Sequence, residues 1–140
     1  MRIEHRHPDH KFTHSYSQPE GYRFCQDSII FPRFVADRVR LNQNSRVLDI
    51  CAGCGVIGFE LAFYHPALRH MDFLEAQQEF RPHLEENLKI TGLSGRLLEM
   101  NYAQLLEPQF ANRYDLIVGN PPYFLPREGK PSPVKINQHA

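Results

Sequence analysis

Arg46-Val47-Leu48-Asp49-Ile50 (RVLDI), followed by Cys51-Ala52-Gly53-Cys54-Gly55-Val56-Ile57-Gly58 (CAGCGVIG), decides the fold. The short aliphatic run reads as a buried strand and the glycines as a sharp turn. The apolar stretch from Val56 reads as a helix reaching about Tyr64. Outward from there the same alternation repeats. Residues 70–74 (HMDFL) read as a second strand, and Phe80, Leu84 and Leu88 fall at i, i+4 and i+8 of a helix that Gly92 stops. Residues 96–100 (RLLEM) give a third strand and 114–119 (YDLIVG) a fourth. Upstream, Phe31, Val35 and Val39, with Phe34 beside them, give helical spacing over 27–41. Pro32 suits only the first turn of that helix, where a missing N–H is harmless. Strands alternating with helices imply right-handed crossovers and a parallel sheet, so the class is α/β with helices on both faces and four strands in this chain. Ligands of such sheets bind beyond the carboxyl ends of the strands. The residues just after each strand are therefore the informative ones.

At 140 residues the chain fits one domain, and 41% hydrophobic with 23% charged residues is an ordinary globular composition. The expected division is an N-terminal arm and extended segment over 1–26, a cofactor-binding domain over 27–123, and a loop or truncated segment over 124–140. Four histidines (His5, His7, His10, His14) fall in the arm and are not expected to form a metal site, which needs ordered convergence of ligands. The longest apolar runs are too short for a bilayer, which takes ~20 residues, and no apolar signal core opens the chain, so the cytoplasm is expected. Cys25, Cys51 and Cys54 make no disulfide framework. Sixteen basic and sixteen acidic side chains cancel. A chain that grips nucleic acid through phosphates usually has a basic excess or a basic face, so overall charge lends such a partner no support.

Gly53 and Gly55 let a ligand lie against bare main chain, and the helix starting at Val56 adds its free N–H groups. Glu75, at the end of the second strand and 22 residues after Gly53, is placed to accept both hydrogen bonds of a ribose diol. Asn101, read as ending the third strand, is placed at an adenine edge. Gly53-x-Gly55-x-x-Gly58 also matches the dinucleotide fingerprint, so NAD is a rival. Against it, Asp49 lies inside the strand, where a carboxylate can reach an amino acid's ammonium group, and nicotinamide chemistry has no use for Asn120-Pro121-Pro122-Tyr123 after the fourth strand. An exocyclic amine is a poor nucleophile because its lone pair is delocalised into the ring. If the Asn120 side-chain oxygen and the Pro121 carbonyl accept its two N–H bonds, the nitrogen is drawn towards tetrahedral geometry. The prolines stiffen the turn, and Tyr123 offers a face for a base to stack on. Cys51-Ala52-Gly53-Cys54 spells CxxC, but redox chemistry leaves the glycines and Asp49 unexplained.

On these residues the chain resembles the class I methyltransferases over about residues 25–125, with a Rossmann-like fold. The acidic-x-Gly-x-Gly-x-Gly turn matches Asp49, Cys51, Gly53 and Gly55; the post-strand acid matches Glu75; the amino-methylating tetrapeptide matches Asn120 to Tyr123. More narrowly, Gly21-Tyr22-Arg23-Phe24 with Asp27-Ser28-Ile29-Ile30 is similar to the start of the bacterial tRNA adenine-N6 methyltransferases. The resemblance implies S-adenosylmethionine as methyl donor and the exocyclic amine of adenine in tRNA as acceptor. It implies that Asp49, Cys51, Ala52, Gly53, Gly55, Glu75, Asn101 and Asn120 hold the cofactor and that Asn120, Pro121, Pro122 and Tyr123 serve the reaction. Cys51 stands where that family has its first glycine, which a small side chain tolerates at negative φ. Asn101 replaces a usual aspartate. The family sheet has seven strands, so the chain is expected to be a truncated fragment, or to cover its apolar fourth strand with another copy. Glutamine-amide and rRNA guanine-N2 methylation share the tetrapeptide, and a non-catalytic cofactor-binding module is the alternative from another class.

Overall fold

The computed structural model describes residues 15–121. Strands β1 (Val47–Ile50), β2 (His70–Leu74), β3 (Ser94–Leu98) and β4 (Leu116–Gly119) form a parallel sheet in the order β3-β2-β1-β4. The α-helices are α1 (Asp27–Ala36), α2 (Val56–Tyr64) and α3 (Arg81–Thr91); short 3₁₀ helices lie at Gln78–Phe80, Tyr102–Leu106 and Pro108–Phe110. Among the described residues no helix is long and apolar enough to cross a membrane.

Strand alternation sorts the core into two layers. Val47, Met71, Phe73 and Val118 pack with Val35 of α1, Phe59 and Leu61 of α2, and Leu84 of α3. Leu48, Leu74 and Leu98 form the other layer, against Leu105, Phe110 and Tyr114 from the connection between β3 and β4. The steps β1 to β2 and β2 to β3 run the same way, so right-handed crossovers put α2 and α3 on one face. The return to β4 crosses the other face with the 3₁₀ helices. Eight of the nine residues of α2 are buried, as expected of a helix covered by α1 as well as the sheet. It sits close: a Cβ on Gly58 would stand 2.5 Å from Phe73 and 2.6 Å from Met71. β4 is one edge of the sheet, with Ile117 52% exposed.

The structure corrects several boundaries. The helix expected over 27–41 ends at Ala36, because the Val35 carbonyl accepts from both Arg38 and Val39 and the last turn closes there. Val39 and Leu41 still pack on the core, but as irregular chain. Pro32 lies inside α1 rather than in its first turn. Its ring is fully buried, which offsets the one backbone bond it cannot make. The third strand is Ser94–Leu98 instead of 96–100, since Leu98 pairs with Leu74. Ser94-Gly95 looks like a turn in the sequence; here Gly95 is needed in the strand because a Cβ would stand 2.7 Å from Leu88 and 3.0 Å from the Met71 carbonyl.

Residues 15–26 contain no helix or strand before α1, yet they are anchored. Tyr16 is buried and stacks on Phe59 at 5.9 Å, and its hydroxyl donates to Glu60 Oε1 at 2.6 Å. Asn87, fully buried on α3, accepts from the Ser17 N–H (2.8 Å) and donates to the Ser17 carbonyl (3.0 Å) and the Cys54 carbonyl (2.9 Å). One amide thus ties this segment, α3 and the glycine turn together. Burial pushes Glu60 up to about 7, with the Tyr16 bond pulling the other way. A carboxyl raised in the folded state stabilises fully below about 4.5 and loses that contribution as pH rises through about 7. Tyr16→Phe removes a donor that favours the carboxylate. It is expected to cost about 1–3 kcal/mol in urea unfolding at pH 8 and less at pH 5; equal losses at both would mean that the bond does not sense ionisation.

Candidate active site

The register sets Ile50 beside Leu74 and Gly119, and Leu74 beside Leu98. Cys51, Glu75, Glu99 and Asn120 therefore leave the sheet at one end. After β1 the chain turns tightly: the Ala52 N–H donates to the Leu74 carbonyl (2.9 Å) and the Gly55 N–H to the Ala52 carbonyl (2.8 Å). Gly53 and Gly55 have φ 58 and 87, and a Cβ on Gly55 would stand 2.5 Å from Phe59 and 2.6 Å from Leu84. No other residue type fits there.

Two carboxylates hold this turn from beneath. Glu75, buried, accepts the Gly53 N–H at Oε2 and the Gln77 N–H at Oε1, each at 2.8 Å. Each oxygen keeps a further lone pair, so a ligand diol would share a carboxylate that is already engaged. Asp49 is fully buried and accepts the Gly58 N–H at Oδ2 (3.0 Å). One of the α2 N–H groups that the sequence offered to a ligand is thus satisfied internally. Asp49 Oδ1 has no partner among the described residues. Burial pushes the Asp49 carboxyl to about 8, the Gly58 bond opposes this, and nearby Glu75 adds to it.

Cys51 departs from expectation. Its φ is +52, in the left-handed region, so the cysteine is strained where negative φ would have made it harmless. Burial, then Glu75 and Asp49, raise its thiol pKa, and burial pushes Cys54 to about 12. Neither thiol is acidic, which removes the physical basis of a thioredoxin-like reading.

Asn101 does not end a strand. β3 ends at Leu98, and Asn101 is the exposed N-cap of the 3₁₀ helix at Tyr102–Leu106: its Oδ1 accepts the Ala103 N–H (2.9 Å) and its N–H donates to Gln104 Oε1 (2.9 Å). A small crevice between β2, β3 and α3 is lined by Phe73, Leu84, Leu97 and Leu98, with Glu75, Gln77, Arg81 and Glu99 around it. Asn120 is half-buried, with Nδ2 donating to Cys25 Sγ at 3.9 Å, and Pro121 is exposed. Pro122, Tyr123 and the four histidines lie outside the described residues.

The structure thus gathers Asp49, Cys51, Ala52, Gly53, Gly55 and Glu75 around one turn, sets Asn120 and Pro121 at the same sheet end, and leaves Asn101 as a cap. It adds residues that the sequence reading did not place in the site. The Tyr22 hydroxyl stands 3.7 Å from where a Gly53 Cβ would be, and its ring meets Phe80 edge-on at 5.0 Å. Burial pushes that hydroxyl to about 12. The stretch 22–25 bridges the site, with Tyr22 at the turn and Cys25 on Asn120. Tyr22 had only its place in the Gly21–Phe24 resemblance as a signal; Asn87 had none. A left-handed non-glycine costs ~1–2 kcal/mol, and glycine costs ~0.5–1 kcal/mol in chain entropy. Cys51→Gly is therefore expected to leave stability unchanged or raise it by up to ~1 kcal/mol in chemical denaturation; a clear loss would show that the Cys51 side chain packs well enough to outweigh its strain.

The methyltransferase small domain family matches residues 24–136. The chain is 35% identical over 82 residues to the tRNA1(Val) (adenine(37)-N6)-methyltransferase of Proteus mirabilis, covering 57% of this chain and 32% of that protein. It is 36% identical over 78 residues to the ribosomal protein uL3 glutamine methyltransferase of Bradyrhizobium diazoefficiens, covering 56% and 24%. It spans about a third or less of the length of these relatives. Among solved structures, a hypothetical protein of Thermus thermophilus superposes with a TM-score of 0.66 at 24% identity, covering 88% of this chain and 70% of that one; this likeness bears on the fold. With a family match over most of its length and a glycine turn, post-strand acid and Asn-Pro at one sheet end, the chain belongs to the methyltransferase small domain family, in which S-adenosylmethionine is the methyl donor.

Proposed function

We propose that this chain carries the donor-binding and amine-gripping parts of an N-methyltransferase that acts on the exocyclic amine of adenine in tRNA, in the cytoplasm. The observation that carries this reading is that Asn120 and Pro121 follow β4 at the sheet end where the glycine turn follows β1, with Gly119 in register with Ile50. When bound, S-adenosylmethionine supplies an electrophilic methyl group. Asp49 Oδ1, buried without a partner among the described residues, is the acceptor left for the donor's ammonium group, Glu75 for its ribose, and Asn101 for the edge of its adenine. Asn120 and the Pro121 carbonyl take the two N–H bonds of the target amine and turn its lone pair towards the methyl. An amide does not titrate, so Asn120 orients the amine and is not the base. Two-fold acceptance of this kind is electrostatic preorganisation, and losing one such contact typically costs ~10²–10³ in rate.

The Proteus relative supports adenine in tRNA as the acceptor, and the Bradyrhizobium relative keeps a glutamine amide as the second reading, since both nitrogens are planar and deactivated. Asn120→Ala is expected to lower methyl transfer to unmodified tRNA at least ~100-fold while calorimetry shows S-adenosylhomocysteine affinity within about threefold of wild type. Glu75→Ala should weaken that binding first. Retained transfer by Asn120→Ala would refute the mechanism; transfer to a glutamine-bearing ribosomal protein and not to tRNA would shift the substrate. Tight binding with no transfer to either would leave a non-catalytic module.

Asp49 gives a separate test. A carboxyl at about 8 is mostly protonated at pH 7 in the free chain, and a cation beside Oδ1 favours its ionised form. Binding of S-adenosylhomocysteine at pH 7 should then release up to about one proton, with affinity rising by at most ~10-fold per pH unit and levelling near pH 8. Calorimetry in two buffers of different ionisation enthalpy measures this. Asp49→Asn should abolish the release; unchanged release in that variant would assign Asp49 to capping α2 alone.

A further inference from the structure

We infer that the outward face of α1 docks the single-stranded RNA that flanks the target base. This rests on the RNA reading above and adds a place to it. Basic and acidic side chains cancel over the whole chain, but they are not arranged alike. Arg46 is paired with Asp115, Arg81 with Glu85 and Glu99, and Arg96 with Asp72. Arg23, Arg33, Arg38, Arg40, Arg69 and Arg113 have no carboxylate partner among the described residues, and the first four of these lie on α1 or within four residues of its ends. Over 23–40 the acids are Asp27 and Asp37, so two positive charges are left over in a chain that is neutral overall.

The same helix presents an apolar and aromatic surface. Ser28, Pro32, Val35 and Ala36 are buried, which turns Ile30 and Phe34 outward, 55% and 52% exposed. The Arg38 guanidinium lies 3.6 Å over the Phe34 ring and donates to the Phe34 carbonyl at 3.0 Å. An aromatic face with guanidiniums that lack carboxylates suits a base stack beside phosphates. The location fits as well. Cys25, two residues before α1, touches Asn120, so a strand that presents its base to Asn120 passes the start of α1.

The test uses fluorescence anisotropy with a fluorescein-labelled oligoribonucleotide of about 12 nucleotides containing one adenine. Phe34→Ala should weaken binding ~10-fold. The double variant Arg33→Gln, Arg38→Gln should do the same and reduce the slope of log affinity against log salt by ~1.4. Phe34→Trp should keep wild-type affinity. S-adenosylhomocysteine binding by calorimetry should be unchanged in all of them, which establishes that each is folded. Variants that bind the oligonucleotide as wild type does would overturn the surface and leave the tRNA reading intact. Wild-type chain that binds no RNA but methylates a glutamine would overturn both. A concentration-dependent dimer in light scattering that Phe34→Ala dissolves, with RNA affinity untouched, would assign the face to a second copy and overturn the proposal.

Discussion

The Glu75 carboxylate joins the two loops at the carboxyl end of the sheet's central strands. Glu75 takes the Gly53 N–H on one oxygen and the Gln77 N–H on the other, clamping the loop after β1 to the loop after β2. The turn needs an outside clamp because Gly53, Gly55 and Cys51 are all in left-handed conformations. Such a segment has little local preference for its shape. Asn87 reinforces it from α3 by holding the Cys54 carbonyl, and Ala52 is tied to the end of β2. The backbone of the glycine turn is thus fixed by contacts from β2 and α3.

Three buried carboxylates show how local hydrogen bonding decides charge. Burial alone would push the Asp72 pKa up, yet the Tyr114 hydroxyl, Arg96 and His70 outweigh it and hold the carboxyl below its ordinary value. Asp49 and Glu60 each have one bond and one oxygen without a partner. For them desolvation wins, and both are raised to near neutrality or above. Three donors, one of them the Arg96 cation, together with shallower burial reverse the sign at Asp72. Asp49 sits inside β1 just below the glycine turn, where an ionised carboxylate is costly until a cation meets it.

Elements whose apolar runs match their length were legible. β2 and α2 have the bounds that periodicity gave them, and Gly92 ends α3 at φ 71. The misses have physical causes. Ser94 and Gly95 carry turn-like side chains but occupy a strand because Leu88 and Met71 crowd that position. Reading β3 two residues late put Asn101 at the strand end; it lies three residues further on, where its side chain caps the 3₁₀ helix at Tyr102–Leu106. Pro32 broke a local rule because burying its ring offsets the missing bond. Tyr16 and Asn87 were invisible because their importance comes from partners 44 and 70 residues away. Net charge concealed that some arginines are spent on carboxylates and others are not.

The sequence by itself determined the parallel α/β class and the order of strands and helices along the chain. Period and chain direction are local properties, and they suffice for that. Only the tertiary structure decided that Glu75 and Asp49 support the turn from below, that Cys51 is left-handed, and that Cys25 and Tyr22 bridge Asn120 to the glycines. Those outcomes depend on which buried donors find which acceptors once distant segments pack, and a one-dimensional pattern does not carry that information.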